Sequence, residues 1–104
     1  MSNKKTHQIK VVELKNPLKK AIGLIGKKNP QIILFKTRFG IHTFGVRFPI
    51  DIIILDKKNK VMTVKHNLQP NRFFFWNPKY ETVLELPEGT ITKEKIDLED
   101  TIDL

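Results

Sequence analysis

Three polar side chains near the middle of the chain have types that suit acid–base or anion chemistry: His42, Arg47 and Asp51. The imidazole of His42 could act as a general base, a metal ligand or a donor to an anion. The alternative is a histidine at the entrance of a strand, hydrogen-bonded to the backbone.

Asp51 is the only acid in an otherwise apolar stretch, directly before the apolar run Ile52–Leu55. A buried carboxylate must be paired or must accept backbone N–H groups, because desolvation alone raises its pKa. We expect its partner to be Arg47 or His42. Asp51 is then either a structural acid that fixes the bend at Pro49 or a tuned acid that shares a pocket with His42.

A second group, Arg72 to Trp76, joins a cation to four consecutive aromatic residues. Exposed aromatic rings beside a cation would form a stacking platform for single-stranded nucleic acid. Side chains alternate between the two faces of a strand, so at least two of these rings are expected in the core. If Phe74 and Trp76 point outward together, they form a ligand or partner surface.

Several reaction classes lack the residues that they require. The chain has no cysteine, and its single serine is Ser2, so covalent catalysis by either residue is disfavoured. The three histidines show no paired ligand spacing, and there is no glycine-rich phosphate loop. A carboxylate pair such as Asp51 with Glu85 is available in almost any β protein and indicates little. We therefore predict no metal site and no cofactor.

The net charge of +8 is unevenly distributed. Residues 1–39 carry ten Lys and Arg against one acid, residues 40–80 carry seven against two, and residues 81–104 carry two against eight. The basic part predicts an anionic partner, with nucleic acid as one class. The alternative is that the acidic end folds back and compensates the basic body. Abundant lysine also fits solubility or a thermophile surface.

The length of 104 residues fits one domain, for which we expect a flexible tail over residues 1–7 and a globular domain over residues 8–104. No signal peptide is recognisable, and the apolar runs fall far short of the roughly 20 residues of a membrane span. The expectation is a cytoplasmic protein without membrane attachment, as a monomer or a weak homo-oligomer.

Hydrophobic periodicity places these residues on a mainly β frame. One helix is predicted over Asn16–Gly26, with Pro17 in its first position and apolar residues at helical spacing. Predicted strands are Gln8–Leu14, Gln31–Lys36, Phe48–Leu55, Val61–Val64, Phe73–Trp76, Thr82–Leu86, Thr90–Thr92 and Thr101–Leu104. Phe48–Leu55 is expected to be central and buried on both faces. The fold class is mainly β, α+β at the margin: a small sandwich or partly open barrel of about seven short strands with one helix near the N-terminus.

Four segments together resemble a widespread prokaryotic family, domain of unknown function family 192, also called uncharacterised protein family 0127. They are Ile41–Thr43, Phe48–Asp51, Leu55–Asp56 and Val83–Gly89, and the helix segment Gly23–Lys27 is similar to the Gly-Leu-Met turn of that family. The sequence departs from the family where Val46 replaces the usual Met, and where Glu99 replaces a Gly before Asp100. The resemblance implies a compact, mainly β single domain and implies no activity.

The residues favour a non-enzymatic binding or accessory module for an anionic partner, with its site near His42, Arg47 and Arg72. One alternative is a small hydrolase or lyase with His42 and Asp51 in a pocket. Another is a protein-interaction module that exposes Phe74 and Trp76.

Overall fold

The computed structural model describes residues 4–15 and 31–104. In these ranges the elements are β1 (Thr6–Gln8), β2 (Val11–Glu13), β3 (Ile32–Lys36), β4 (Ile41–His42), β5 (Ile50–Leu55), β6 (Val61–Leu68), β7 (Phe73–Phe74), β8 (Thr82–Pro87), α1 (Thr90–Lys93) and β9 (Thr101–Asp103). Strands dominate, so the predicted mainly β class is confirmed. The helix predicted over Asn16–Gly26 lies outside the described residues.

A five-stranded sheet in the order β2-β3-β8-β5-β6 carries most of the core. Strands β2 and β3 run parallel, and the other neighbours in this sheet run antiparallel. Two small two-stranded sheets complete the described part, β1 with β9 and β4 with β7. These sheets are open, and the closer description as a sandwich or partly open barrel stays a prediction.

Strand β5 is buried along its whole length, as its apolar run predicts. It lies between β8 and β6, and its alternate side chains enter two core clusters. Ile52 and Ile54 belong to one cluster, and Ile53 and Leu55 belong to the other. Burying one such side chain contributes about 1.5–3 kcal/mol. Pro49 precedes the first residue of β5, where its missing N–H removes no bond from the sheet.

The first strand begins closer to the N-terminus than the sequence predicts. Thr6 and His7, expected in the flexible tail 1–7, lie in β1 and pair in parallel with β9. The strand predicted over Gln8–Leu14 is divided, because β1 pairs with β9 whereas β2 pairs with β3. The amide of Ile9 donates to β9 at 3.0 Å and marks the end of the first pairing.

The segment after β8 is a helical turn, so the strand predicted over Thr90–Thr92 is wrong. Gly89 has a φ of 88°, in the left-handed region that favours glycine, and it turns the chain out of β8. The hydroxyl of Thr90 donates to the end of β8 at 2.6 Å. The amide of Ile91 donates to the carboxylate of Asp51 at 3.0 Å. These contacts outweigh the β propensity of Thr-Ile-Thr, since that propensity depends on context.

Candidate functional site

Asp51 is a buried acceptor for two backbone amides. Its side chain is 1% exposed, in the second position of β5. One carboxylate oxygen accepts the N–H of Asn67 at 3.0 Å, and the other accepts the N–H of Ile91 at 3.0 Å. The carboxylate thus ties the end of β6 and the start of α1 to β5. Backbone amides, rather than the predicted Arg47 or His42, are its hydrogen-bond partners.

Thr43 joins β4 to the segment that precedes β7; the sequence marked it as part of the motif Ile41–Thr43 but not as a site residue. The side chain is 1% exposed, and its hydroxyl donates to the carbonyl of Gln69 at 2.7 Å. The same hydroxyl accepts the amide of Arg72 at 2.9 Å. The amide of Thr43 donates to the carbonyl of Arg72 at 2.9 Å. Thr43 therefore fixes the backbone of Arg72 beside His42.

The two-stranded sheet formed by β4 and β7 carries a group of aromatic rings, the aromatic patch, comprising His42, Phe44, Phe73 and Phe75. In its register His42 is opposite Phe73. The ring centroids of Phe44 and Phe73 lie 5.0 Å apart in a T-shaped contact, and those of Phe73 and Phe75 lie 6.0 Å apart and stacked. Phe73 is 60% exposed, Phe75 66% and Phe44 44%. Exposed apolar rings clustered in this way are a candidate interaction surface.

The aromatic side chains of residues 73–76 alternate between exposed and half-buried, as predicted. The exposed rings, however, are those of Phe73 and Phe75. Phe74 and Trp76 are half-buried and pack against a core cluster. The indole Nε1 of Trp76 donates to the carbonyl of Tyr80 at 2.7 Å. The idea that Phe74 and Trp76 form the outward surface is therefore wrong, and Phe73 and Phe75 take that place.

Gly40 lies against the ring of Phe75 and has a φ of 88°, in the left-handed region that favours glycine. A Cβ atom at this position would clash with Cδ1 of Phe75, so a larger residue would displace the ring. Phe39, directly before it, is 87% exposed. Both the positive φ and the lack of space for a Cβ atom therefore favour glycine at position 40.

Two cations, Arg47 and Arg72, accompany the patch in the chain, and both are exposed. Among residues 4–15 and 31–104 neither guanidinium has a carboxylate within 4.0 Å. Residues 1–3 and 16–30 contain no Asp or Glu. The positive charge of both side chains is thus left without an ion pair and is available to an anion.

His42 and Asp51 do not form the pair that a hydrolase or lyase would use. Nδ1 of His42 accepts the amide of Phe44 at 3.3 Å, and both oxygens of Asp51 are bonded to backbone amides. In the neutral ring the proton is then on Nε2, which acts as a donor. Within the described ranges no three His, Asp or Glu side chains are grouped to hold a metal ion.

Asp100 is a fully buried carboxylate that joins the two ends of the described chain. Its oxygens accept the amides of Lys5 at 3.1 Å and Asp97 at 2.9 Å, and Nε2 of His7 lies 2.8 Å away. Burial alone would raise the pKa of Asp100. The amide of Asp97, then His7, then the amide and charge of Lys5 outweigh burial and lower the pKa to about 2.

Glu85 is the second buried acid with a displaced pKa. It lies in β8, opposite Ile33 of β3 and Ile52 of β5, and is 8% exposed. Desolvation by burial raises the pKa of Glu85 to about 7. Asp51 is opposite Leu86 in the same register, so the two carboxylates lie on opposite faces of the sheet and cannot act as one pair.

The family model DUF192, described as Uncharacterized ACR, matches residues 1–104. The chain belongs to the DUF192 family. The family that the sequence motifs resemble is thereby confirmed. No curated protein matches the chain. In the part of this DUF192 chain that the structure describes, no helix has the length and apolar character needed to span a bilayer.

Two solved structures resemble this DUF192 chain. A protein of unknown function from Novosphingobium aromaticivorans has a TM-score of 0.72 at 18% identity, covering 89% of this chain and 73% of that chain. A "putative transcription regulator" from Sinorhizobium meliloti has a TM-score of 0.67 at 18% identity, covering 88% of this chain and 78% of that chain. At this identity the likeness shows the fold alone.

Proposed function

We propose that this DUF192 chain is a non-enzymatic binding module for an anionic partner, and that single-stranded nucleic acid is the partner class. The observation that carries the proposal is the group of exposed rings of Phe44, Phe73 and Phe75 in contact with one another and with His42. Arg72, which is exposed, directly precedes Phe73 in the chain. The rings would stack against bases, and the cations would bind phosphates.

Stacking is the chemistry that this arrangement favours. Phe73 and Phe75 are nearly parallel, with 11° between their planes, and each exposes more than half of its surface. Every base has a π face, so such rings bind single strands with little sequence preference. Each stacked base contributes about 1–3 kcal/mol when tested by alanine substitution. Contacts among Phe44, Phe73 and Phe75 partly order the rings before binding, which lowers the entropic cost of stacking.

Charge supports the same partner class. Arg72 and Arg47 have no carboxylate within 4.0 Å among the described residues. The net charge of +8 attracts polyanions over longer distances. An apolar ligand would gain nothing from these cations, whereas a phosphodiester backbone would gain from each of them.

The test is fluorescence anisotropy of labelled single-stranded RNA and DNA with the full chain at low salt. We expect saturable binding that weakens at least tenfold in the double variant Phe73→Ala and Phe75→Ala, because two stacking contacts are lost. The matched control is Leu98→Ala, an exposed apolar side chain that is 51% exposed and outside the patch. Absence of binding to both nucleic acids, or equal weakening by the control, would refute the proposal.

A second candidate function is protein interaction through the same aromatic patch. Its support is that Phe73, Phe75 and Phe44 expose apolar ring surface, which fits a protein partner as well as a base. Sedimentation velocity of the wild type across a concentration series separates the two functions. A mass that rises with concentration and returns to the monomer in the Phe73→Ala, Phe75→Ala variant would favour self-association through the patch.

A further inference from the structure

A basic cleft of about 520 Å³ lies at one end of the central sheet and shares no residue with the aromatic patch. One wall is the turn between β5 and β6, and the other is the segment that precedes β8. The lining residues, which define the basic cleft, are Arg38, Asp56, Lys57, Lys58, Lys60, Lys79 and Tyr80. A smaller cavity of about 300 Å³ adjoins it and contains the apolar floor of Leu34 and Leu55.

Both walls are held in place by hydrogen bonds. One oxygen of Asp56 accepts the amides of Lys58 at 2.8 Å and Lys60 at 2.9 Å, which fixes the turn. Arg38 donates to the carbonyls of Pro78 at 3.0 Å and Lys79 at 3.2 Å, which fixes the opposite segment. The cleft is therefore preformed rather than assembled by a ligand.

The cleft is lined by five cations and one carboxylate. Arg38 is paired with Glu81 at 3.2 Å. None of the four lysines has a carboxylate within 4.0 Å in the part of the chain that the structure describes. The remaining residues, 1–3 and 16–30, contain no acid. Like charges repel each other across a cleft, so this arrangement costs stability unless an anion occupies it.

We infer that the basic cleft binds a compact polyanion that carries two or more linked phosphate groups, such as a diphosphate or triphosphate. Lys57, Lys58 and Lys60 line one wall and Lys79 lines the other, so an anion with several charges can be matched by lysines from both sides. Lysine ammonium groups bind phosphate as point charges. A single carboxylate or chloride ion would leave most of these lysines uncompensated.

The concave shape separates this site from the aromatic patch. The patch is an exposed surface of rings that suits an extended strand, whereas the cleft is an open concavity whose volume lies within the range of small-molecule sites. Tyr80 and Lys79, with the ammonium 5.8 Å from the ring centroid, give the cleft a partly apolar side. The inference does not depend on the proposed nucleic-acid function, because the two sites use different residues.

The experiment is calorimetric titration of the full chain with inorganic triphosphate as the probe, and with sulfate as a single-anion reference. We expect saturable binding of one triphosphate, and weaker binding of sulfate. The double variant Lys57→Ala and Lys60→Ala should weaken triphosphate binding roughly tenfold or more, because two charge-assisted contacts are lost. The matched control is the double variant Lys65→Ala and Lys93→Ala, which removes the same charge from exposed lysines outside the cleft.

Amide chemical shifts locate the probe independently. With triphosphate we expect changes at residues 57–60 and 78–81, while the amides of Phe73 and Phe75 stay unchanged. No saturable triphosphate binding would overturn the inference. It would also be overturned if the control pair weakens binding as much as the cleft pair, or if the shift changes concentrate on the aromatic patch. Failure of nucleic-acid binding in the anisotropy test leaves this outcome unaffected.

Discussion

Buried carboxylates in this chain serve the backbone. Asp51 accepts hydrogen bonds from two backbone amides. Asp100 also accepts from two backbone amides and lies beside His7. Each carboxylate therefore connects two segments that are distant in the sequence. An ionised acceptor forms stronger hydrogen bonds than a neutral one, at about 1.5–3 kcal/mol net each. The acids that first attract a catalytic interpretation therefore have a structural task that accounts for their burial.

Replacing Asp51 tests this role. Asp51→Ala leaves the amides of Asn67 and Ile91 without their acceptor, so we expect a loss of about 3–5 kcal/mol in the free energy of unfolding. Urea denaturation measures it. The control is Asp103→Ala, which removes an exposed carboxylate. If the two variants lose similar amounts of stability, Asp51 does not have this role.

Glu85 gives a prediction with the opposite sign of pH dependence from an ordinary ion-paired acid. The folded state holds the proton up to about pH 7, whereas the unfolded chain releases it near 4.5. The contribution of Glu85 to stability is therefore fully present below pH 4.5 and is lost as the pH rises toward 7. The loss amounts to about 3 kcal/mol at most.

The measurement is urea unfolding of the wild type and Glu85→Gln at several pH values across this window. The variant should lose the decrease in stability, because the amide side chain does not ionise. The exposed Glu88→Gln serves as the control and should retain the decrease. Parallel pH profiles for the wild type and Glu85→Gln would contradict the raised pKa.

At the scale of elements, the pairing of β1 with β9 depends on the network around Asp100. Lys5 and His7 approach this carboxylate from the N-terminal side, and Asp97 approaches it from the turn before β9. The pKa of Asp100 is lowered from 3.8 to about 2, so its stabilisation is present above about pH 4 and is lost as the pH falls toward 2. The contribution is about 2 kcal/mol.

Amide hydrogen exchange measures the effect of this network on individual residues of β1 and β9. In Asp100→Asn we expect the amides of Thr101 and Ile9, which bridge β1 and β9, to lose protection, while those of β5 keep theirs. Asp103→Asn removes an exposed acid from the same strand and should leave the protection unchanged. Unchanged exchange at Thr101 and Ile9 in Asp100→Asn would show that strand pairing alone holds this sheet.

Hydrophobic periodicity predicted the strands that are apolar along their whole length. It failed where the conformation of a segment depends on a residue that is distant in the sequence. The apolar run of β5 is continuous, so its burial on both faces followed from the sequence. Thr90–Lys93 has β propensity, but its conformation depends on Asp51, which lies 40 residues away from Ile91. Alternation in the aromatic run was predictable, yet its phase depends on pairing with β4, and no local pattern fixes that register.

The candidate site was likewise predictable only in part. His42 and Arg72 were predicted as neighbours in function, and the structure places their backbones side by side through Thr43. Arg47 is in the intervening loop, and Asp51 is bonded elsewhere. The basic cleft was not recognisable, because its lysines come from two segments that meet only in the folded chain.

At the scale of the whole molecule, salt bridges connect the basic N-terminal part of the chain to its acidic C-terminal part. Each salt bridge of a lysine or arginine among the described residues joins residues 1–39 to an acid from residues 81–104: Lys5 with Asp97 and Asp100, and Arg38 with Glu81. The imidazole of His7 also contacts Asp100, at 2.8 Å. The acidic end thus partly compensates the N-terminal part. The cations of residues 40–80 have no such pairs in the described ranges, and this part carries both the aromatic patch and most of the basic cleft.

Salt dependence of oligonucleotide binding tests whether this uncompensated charge contributes to function. The logarithm of the association constant should fall linearly with the logarithm of salt concentration, with a slope of about −0.7 per phosphate neutralised on a single strand. Arg72→Ala should reduce the magnitude of that slope by about 0.7, because one phosphate contact is lost. Lys58→Ala, in the basic cleft, should leave the slope unchanged, since that cleft shares no residue with the patch.

Anisotropy titrations between about 50 and 200 mM salt provide these slopes. Equal slopes for Arg72→Ala and the wild type would mean that Arg72 contacts no phosphate. A reduced slope for Lys58→Ala would mean that the strand extends from the patch into the cleft, so that the two sites bind one ligand. Only the pattern in which Arg72 matters and Lys58 does not supports two separate anion sites on the uncompensated central part of the chain.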